Sequence, residues 1–362
     1  MNVAFIHAGF SKSGGIERVV SIILNALSKD SEYNLFSIEY VKSEKLSVKI
    51  DDAVKRFHLY ESGISMTSAL VKGGVINKTI RLLKENNIDV VIGCGALYFP
   101  VAVVAGKLAN VKSICWEHTN PKINCDFKFQ KQIRMFGLRY SDANVLITES
   151  AKKYYDSIKK KKNILIYNPV DDDLFVEYTP YNIESKKIIS VGRLCYAKNY
   201  DLLIKIAEKV LKKHDGWSWD IYGDGEEYEK LNRIISKTSV IGRLALKGNA
   251  LNIYELYSNY SFLVMTSRYE GFPMVLLEGA AKSLPLVSFD VETGPNEIII
   301  DSVNGYLIDK YNPDIMVERI DNLINNEEKR KKMSSNAYDT AKKFSLETIC
   351  AAWKSLLREM KQ

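Results

Sequence analysis

Short apolar runs rich in β-branched residues alternate with amphipathic segments from one end of the chain to the other. In the first half, residues 3–7, 35–40, 56–60, 90–94, 113–117, 143–148 and 163–167 read as strands. Helical periodicity falls between them, at 15–27, 76–85 and 127–139. Runs such as Val90-Val91-Ile92 are apolar on consecutive positions, which suits strands covered on both faces of a parallel sheet rather than half-exposed antiparallel ones. Strands and helices in strict alternation predict a doubly wound α/β domain.

The pattern then breaks. From Asn168-Pro169-Val170-Asp171 to Ser185 the chain is polar, carries Pro169 and Pro180, and has little periodicity, as expected of a junction between domains. The alternation restarts with strands at 188–191, 219–222, 262–265 and 286–289 and helices at 202–211, 226–235 and 274–282. Further helices follow at 313–324, 327–343 and 346–360. No internal repeat of 20–50 residues interrupts this order. The expected division is 1–168 and 169–345, with the last segment, 346–362, packing back on the first domain. Two such domains imply a ligand-binding cleft between them.

Composition narrows the class. The chain has 362 residues, 46% hydrophobic and 26% charged, ordinary for a soluble globular protein of two domains. No stretch approaches the 18 or so consecutive apolar residues of a membrane span. Met1 to Phe10 is quickly followed by polar Ser11-Lys12-Ser13, which fits a buried first strand better than a signal peptide. A cytoplasmic location is therefore expected. The five cysteines, Cys94, Cys115, Cys125, Cys195 and Cys350, form no C-x-x-C pair and read as reduced, mostly buried thiols. The four histidines, His7, His58, His118 and His214, are scattered, so no zinc site is expected.

The net charge is +7 and unevenly placed: residues 1–168 hold 25 Lys/Arg against 15 Asp/Glu, and the remainder 26 against 29. A solvated lysine-rich surface, an anionic membrane, a phosphorylated acceptor or nucleic acid could each account for a basic first half. The absence of aromatic-rich RNA or DNA motifs sets nucleic acid last. Lys128, Lys131, Arg134 and Arg139, with the run 159–162, are the candidates for a membrane-facing or pyrophosphate-facing surface.

Three segments carry candidate chemistry. Ser13-Gly14-Gly15-Ile16-Glu17-Arg18 follows the first strand and opens a helix, where glycines admit a ligand to the backbone and the helix N-terminus favours an anion such as a diphosphate. It lacks G-x-G-x-x-G, and a plain tight turn explains it equally well. Val191-Gly192-Arg193-Leu194, followed by Lys198-Asn199, sets two cations at a strand's carboxyl end, the edge at which open parallel sheets bind ligands. The third is Ser267-Arg268-Tyr269-Glu270-Gly271-Phe272-Pro273-Met274-Val275-Leu276-Leu277-Glu278-Gly279. Glu270 lies at a helix mouth that Gly271 and Pro273 shape, with Pro273 expected at the first helical position. Glu278 lies inside the helix among Leu276, Leu277, Ala280 and Ala281, where a carboxylate is costly without a partner and the vicinal hydroxyls of a ribose or sugar would supply one.

The segment EGFPMVLLEGAAKSLPLVSFD (270–290), with VGRLCYAKN (191–199), IYGDGEE (221–227) and the early Gly14-Gly15, resembles the retaining glycosyltransferases of family 4 over nearly the whole chain. That resemblance implies the GT-B fold, two Rossmann-like domains facing across a cleft, and transfer of a sugar from a nucleotide-diphosphate donor, expected to be a UDP-sugar. It implies that Gly14 and Gly15 contact the donor diphosphate and that Arg193 and Lys198 neutralise it as it leaves. Glu270 would approach the transferred sugar, the backbone of Gly271, Phe272, Pro273, Met274 and Val275 would hold hydroxyls and phosphate, and Glu278 would take the ribose. The base would lie near Gly223-Asp224-Gly225 and Lys247-Gly248.

His118, just past a strand end in Trp116-Glu117-His118-Thr119, would face the donor sugar; a satisfied structural histidine is the competing reading. Asp171-Asp172-Asp173 is taken as a structural turn of the family rather than a metal site, so no cofactor or metal is expected. The sequence departs from the family where Lys282-Ser283-Leu284-Pro285 replaces a usual glycine. The expected acceptor is a glycan or lipid-linked glycan in bacterial polysaccharide synthesis. Peripheral contact with an anionic membrane through the basic domain is expected, and nucleic acid is not an expected partner. The alternatives are a GT-B nucleotide-sugar epimerase or hydrolase, and a non-catalytic sugar-nucleotide-binding protein.

Overall fold

The structure is a computed structural model, and it describes residues 1–11, 14–61, 74–122, 129–158, 162–176, 180–250 and 252–361. Contacts divide the chain into two units, Met1–Pro169 with Leu346–Gln362, and Val170–Ser345.

The first unit is built on a seven-stranded sheet of order β3-β2-β1-β4-β5-β6-β7. The strands are β1 (Asn2–His7), β2 (Asn34–Val41), β3 (Lys55–Tyr60), β4 (Val90–Cys94), β5 (Lys112–Glu117), β6 (Ala143–Leu146) and β7 (Asn163–Leu165), all parallel. Both faces of the central strands are covered, which is why β1 and β4 read as unbroken apolar runs. Ala4 and Ile6 pack with Val91, Val101 and Ala102 beneath the helix Phe99–Ala109 and its neighbour Gly74–Glu85. Phe5, on the opposite face, meets Trp116 and Trp353, with centroids 6.4 and 6.2 Å away, and the two tryptophans are 4.7 Å apart edge to face. Trp353 belongs to the helix Leu346–Lys361, which also packs on the helix Gly15–Ser28. Lys354 and Arg358 on its outer side reach Asp30 and Glu32.

The second unit repeats the plan with a six-stranded sheet, β10-β9-β8-β11-β12-β13. Its strands are β8 (Lys187–Val191), β9 (Ser218–Tyr222), β10 (Leu244–Gly248), β11 (Phe262–Met265), β12 (Leu286–Phe289) and β13 (Gly305–Ile308), again all parallel. Ile188, Ile221, Phe262, Val264, Val287 and Phe289 form its core with Leu203, Ala207 and Ile320 of the helices Tyr200–Lys213 and Pro313–Asn325. Asn312 caps the latter helix, its side-chain oxygen accepting from the N–H groups of Asp314 and Ile315, with Pro313 at the first position.

Among the described residues the periodicity located eleven of the thirteen strands; β10 and β13, and the helices Phe99–Ala109 and Glu149–Ile158, are not among the expected elements.

 One of the eleven, β6, was expected to run to Thr148 and stops at Leu146, because the Thr148 hydroxyl turns to accept from the Ala151 N–H and starts the next helix. The helix Phe99–Ala109 is apolar on nearly every side, so no stripe marks it in the sequence. It ends where Asn110 takes a left-handed conformation (φ 59°) and its N–H returns to Gly106 and Lys107.

Arg134 corrects one expectation. It was grouped with Lys128, Lys131 and Arg139 as a basic surface, but it is 1% exposed and ion-paired. Lys131 and Arg139 are exposed on the helix Gln130–Tyr140, Lys162 pairs with Glu359, and Lys128 and residues 159–161 lie outside the described residues. Cys94, Cys115 and Cys350 are buried free thiols and Cys195 is half-buried, while Cys125 lies outside the described residues. Among the described residues no helix is long and apolar enough to cross a membrane.

Trp116 and Trp353 are both fully buried beside Phe5 in the first unit. Trp353→Ala is expected to lower its stability by about 3–5 kcal/mol, the usual cost of truncating a buried tryptophan, read as an earlier urea transition for that unit.

Candidate active site

In both sheets the winding direction reverses once: between β1 and β4 in the first unit and between β8 and β11 in the second. At such a switch point the connections leave to opposite faces of the sheet, and the crevice at the strands' carboxyl ends is left open to a ligand. The loops after β8 and β11 carry the two motifs singled out from the sequence.

After β8 the chain passes Gly192 and Arg193 into a short 3-10 turn, Tyr196–Lys198. Asn199, left-handed at φ 56°, then opens the helix Tyr200–Lys213. The turn after β9 packs directly on this loop. The Gly192 N–H donates to the Tyr222 carbonyl (3.0 Å), and the Leu194 N–H donates to that of Asp224 (2.9 Å). A Cβ at Gly223 would overlap the Gly192 carbonyl and one at Gly225 the Leu194 carbonyl, so the two backbones can meet only because both residues are glycine.

Lys198 and Glu270 come together across the switch point. The Lys198 Nζ lies 2.5 Å from Glu270 Oε1, which also accepts from the Ser267 hydroxyl at 2.5 Å. Their side chains are 23% and 10% exposed, so the pair is half-sheltered rather than a surface contact. Further bonds fix the loops that carry it. The Arg268 N–H donates to the Ala197 carbonyl, the Thr266 hydroxyl to the carbonyls of Lys198 and Asn199, and the Thr293 hydroxyl to that of Glu270. The buried Asn199 amide donates to the Tyr311 hydroxyl, which itself donates to the Thr266 carbonyl.

Arg193 does not join this cluster. Its guanidinium is 73% exposed and pairs with Glu226 at 3.2 Å. An exposed pair of this kind is worth at most about 1 kcal/mol, so little holds Arg193 in this position. Glu278 is 3% exposed and accepts from the hydroxyl of fully buried Tyr257 at 2.8 Å, a partner that no sequence feature had pointed to. Phe272 is buried against Phe344. Pro273 stands just before the helix Met274–Ala281 rather than at its first position, and Gly271, Met274 and Val275 are half-buried at the helix mouth. Lys247 sits at a bulge of β10 and faces Asp220 at 3.4 Å. Both line a recess of about 550 Å³ with Tyr222 and Tyr260. Within Lys282-Ser283-Leu284-Pro285, Ser283 adopts the left-handed conformation (φ 61°) that a glycine would take without cost.

In the first unit, Gly14 and Gly15 begin the helix Gly15–Ser28 after β1, and the space a Cβ would fill at Gly15 is open. Ser13 lies outside the described residues. His118 follows β5, packs its ring against Trp116 at 4.4 Å, and has no hydrogen-bond partner for its buried Nε2 among the described residues. A buried nitrogen left unpaired costs about 1–3 kcal/mol, which argues against a fully satisfied structural histidine. Burial lowers the His118 pKa to about 3, so the imidazole is neutral at ordinary pH. The Asp171 turn is local: the carboxylate accepts from the Asp173 N–H and the Tyr254 hydroxyl. Among the described residues no three His, Cys, Asp or Glu side chains are grouped so as to hold a metal ion.

Fold and site together define a GT-B protein: two parallel-sheet, Rossmann-like units, one bearing a Lys–Glu pair at its switch point. Residues 13–174 match the family model of Glycosyltransferase Family 4 and residues 175–340 that of Glycosyl transferases group 1, so the chain belongs to these glycosyltransferases. It is 29% identical to the amylovoran biosynthesis glycosyltransferase AmsD of Erwinia amylovora, over 96% of this chain and 97% of that protein. It is 25% identical to a Campylobacter jejuni α-1,4-N-acetyl-D-galactosaminyltransferase that acts on a diNAcBac-PP-undecaprenol-linked glycan, over 100% and 99%. Among solved structures, Anabaena HepE in complex with UDP-glucose superposes with a TM-score of 0.82 at 16% identity, over 99% of this chain and 100% of that one, which establishes likeness of fold.

His7 is buried like His118, and its pKa is also lowered to about 3, by burial and then by Arg56. A histidine held neutral in the folded state takes up a proton on unfolding. Its contribution to stability is therefore present above the ordinary pKa of 6.5 and lost as pH falls from there towards about 3. Between pH 7 and pH 5 each should remove about 2 kcal/mol. His118→Ala is expected to show a correspondingly shallower loss than wild type in urea melts at those two pH values.

Proposed function

We propose that the protein is a retaining glycosyltransferase that moves a sugar from a UDP-sugar to a glycan acceptor, carried on a lipid, in bacterial surface polysaccharide or glycoconjugate synthesis. The observation that carries this reading is the Lys198–Glu270 pair, set at the carboxyl edge of the second sheet where its winding reverses. Support for the acceptor comes from the relatives, one named for amylovoran and one for an undecaprenol-linked glycan. Support for the donor comes from the UDP-glucose held by a protein of the same fold.

In this reading the second unit binds the nucleotide. Glu278 takes the ribose hydroxyls, the turns at Gly223 and at Lys247-Gly248 lie by the base, and the backbone from Gly271 to Val275 holds phosphate and sugar hydroxyls. The first unit contributes Gly14 and Gly15 to the diphosphate and His118 to the sugar. The departing diphosphate gathers negative charge as the bond from the anomeric carbon to its oxygen breaks. Lys198 and Arg193, the latter released from its weak exposed pair, stabilise that charge, and water-poor surroundings strengthen the effect. The acceptor hydroxyl attacks from the face the leaving group vacates, and its proton passes to the leaving phosphate oxygen. Configuration is thereby retained with no covalent enzyme intermediate. The reaction is proposed to need no metal.

A panel of UDP- and GDP-sugars, assayed for nucleotide release with and without lipid-linked glycan, tests the reading. Release that depends on acceptor is expected. Release at the same rate without acceptor would make the protein a hydrolase, and binding without release would make it a sugar-nucleotide-binding protein. Lys198→Ala and Arg193→Ala should each lower turnover by roughly 10²-fold, as loss of a charge-stabilising donor does, and activity should survive excess chelator. Near-normal rates in both variants would remove the proposed role of the cations.

The exposed Lys131 and Arg139, beside the partly exposed Phe136 and Tyr140 on the same helix, are proposed to touch an anionic membrane from its cytoplasmic side. Co-sedimentation with phosphatidylglycerol vesicles should fall as salt rises and should weaken in Lys131→Glu/Arg139→Glu. Binding that salt does not affect, or none at all, would refute the contact.

A further inference from the structure

Arg134 and Glu117 form an ion pair in which both side chains are 1% exposed, with Nε and Oε2 2.9 Å apart. Nothing in the proposed reaction uses either residue. A charged pair this deep is a poor device for stability, because desolvating both ions consumes most of what their attraction returns. Its value lies in what else the two groups hold.

The pair is wrapped around one loop. Glu117 ends β5, and its other oxygen accepts from the Thr119 N–H (2.9 Å) and the Thr119 hydroxyl (2.7 Å). Arg134 comes from the helix Gln130–Tyr140 and spreads its fork over the same segment. One terminal nitrogen donates to the carbonyls of Asn120 (3.3 Å) and Pro121 (3.0 Å), and the other to the Thr119 hydroxyl (3.0 Å). Residues 118–121 belong to no strand or helix, so no ladder of backbone hydrogen bonds sets their course. These contacts from two side chains set it instead. The residue they enclose is His118, whose ring rests on Trp116 and whose buried Nε2 is unpaired.

We propose that the Glu117–Arg134 pair is a positioning device: it fixes the loop after β5 so that the His118 imidazole is held ready for the transferred sugar of the donor. This rests on the reading of His118 as a donor-sugar contact. An arginine is required rather than any cation. Only a planar fork can meet a carboxylate, a hydroxyl and two carbonyls at once, whereas a lysine ammonium keeps the charge and cannot span them.

The test uses the full chain with isotope-labelled histidine, in wild type, Arg134→Lys and Glu117→Gln, with His118→Ala to assign the signal. Arg134→Lys retains a cation beside the buried carboxylate, and Glu117→Gln retains the shape of the acid, so a folded protein is available if either one fails to fold. In the folded variants the His118 imidazole resonances are expected to move, while those of His7, whose ring is bonded to Ser37 in β1 and β2, stay in place. With the best UDP-sugar of the panel, kcat/KM should fall roughly tenfold to a hundredfold, the size expected when a reacting group is held about 1 Å out of place. Affinity for UDP alone should change less than twofold. Unmoved His118 resonances, or moved resonances with turnover within twofold of wild type, would overturn the proposal. If wild type turns over no sugar nucleotide, the proposed function fails, and the resonances still decide whether the pair holds His118.

Discussion

A parallel sheet wound outward in two directions has one place where neighbouring strands send their connections to opposite faces. The function of each unit is constrained by that place. In the second unit it lies between β8 and β11, and the two loops that leave there carry Lys198 and Glu270. Beyond the last residue of each strand these loops have no sheet ladder to follow, so they must hold themselves by their own polar groups. That requirement accounts for the density of side-chain to backbone hydrogen bonds from Thr266, Arg268, Asn199, Tyr311 and Thr293. It also accounts for the glycines: where the turns after β8 and β9 touch backbone to backbone, a side chain at Gly223 or Gly225 would force them apart.

The same constraint explains why the two cations behave differently. Lys198 is in a turn pinned on both sides, by the Cys195 carbonyl before it and the Thr266 hydroxyl after it, and its ammonium falls against Glu270. Arg193 is nearer the strand end, and its exposed guanidinium pairs with Glu226, which is also exposed. A pinned charge is preorganised, and stabilises a developing charge without first being gathered in. A loose one can adjust to ligands of different shape at the entropic cost of ordering a long side chain. One of each in the same loop provides both a fixed point and an adaptable one.

Most of the architecture was legible because it depends on local pattern. Continuous apolar runs marked the buried parallel strands, and the polar, proline-bearing stretch after Asn168 lies where one contact unit gives way to the next. Lys198 and Glu270 follow the ends of β8 and β11, and the fold brings these two together while Arg193 stands apart. What the sequence hid depends on contacts made at long range. Tyr257 reads as an ordinary residue of an amphipathic stretch until the fold turns its hydroxyl to Glu278. Arg134 looked like a member of a basic helix face because its neighbours Lys131 and Arg139 are exposed, and the helix turns that single position inward to Glu117. β10 and β13 are edge-side strands whose few apolar residues alternate too briefly to stand out. Ser283 adopts a backbone conformation that glycine takes more easily, which its residue type does not announce.

The two units solve one problem with the same kind of part. Each holds an irregular loop at a strand's end, where the sheet gives no help beyond its last residue. In the second unit a buried amide, Asn199, and a tyrosine stacked on Phe289 fasten the loop carrying Lys198. In the first unit a buried ion pair fastens the loop carrying His118. The amide and phenol are neutral and need little compensation when buried. The arginine and glutamate cost far more to desolvate, and the Thr119 hydroxyl and the carbonyls of Asn120 and Pro121 offset part of that cost. A loop held this way has few alternative conformations, because any shift large enough to move His118 would leave a charge unpaired in the interior.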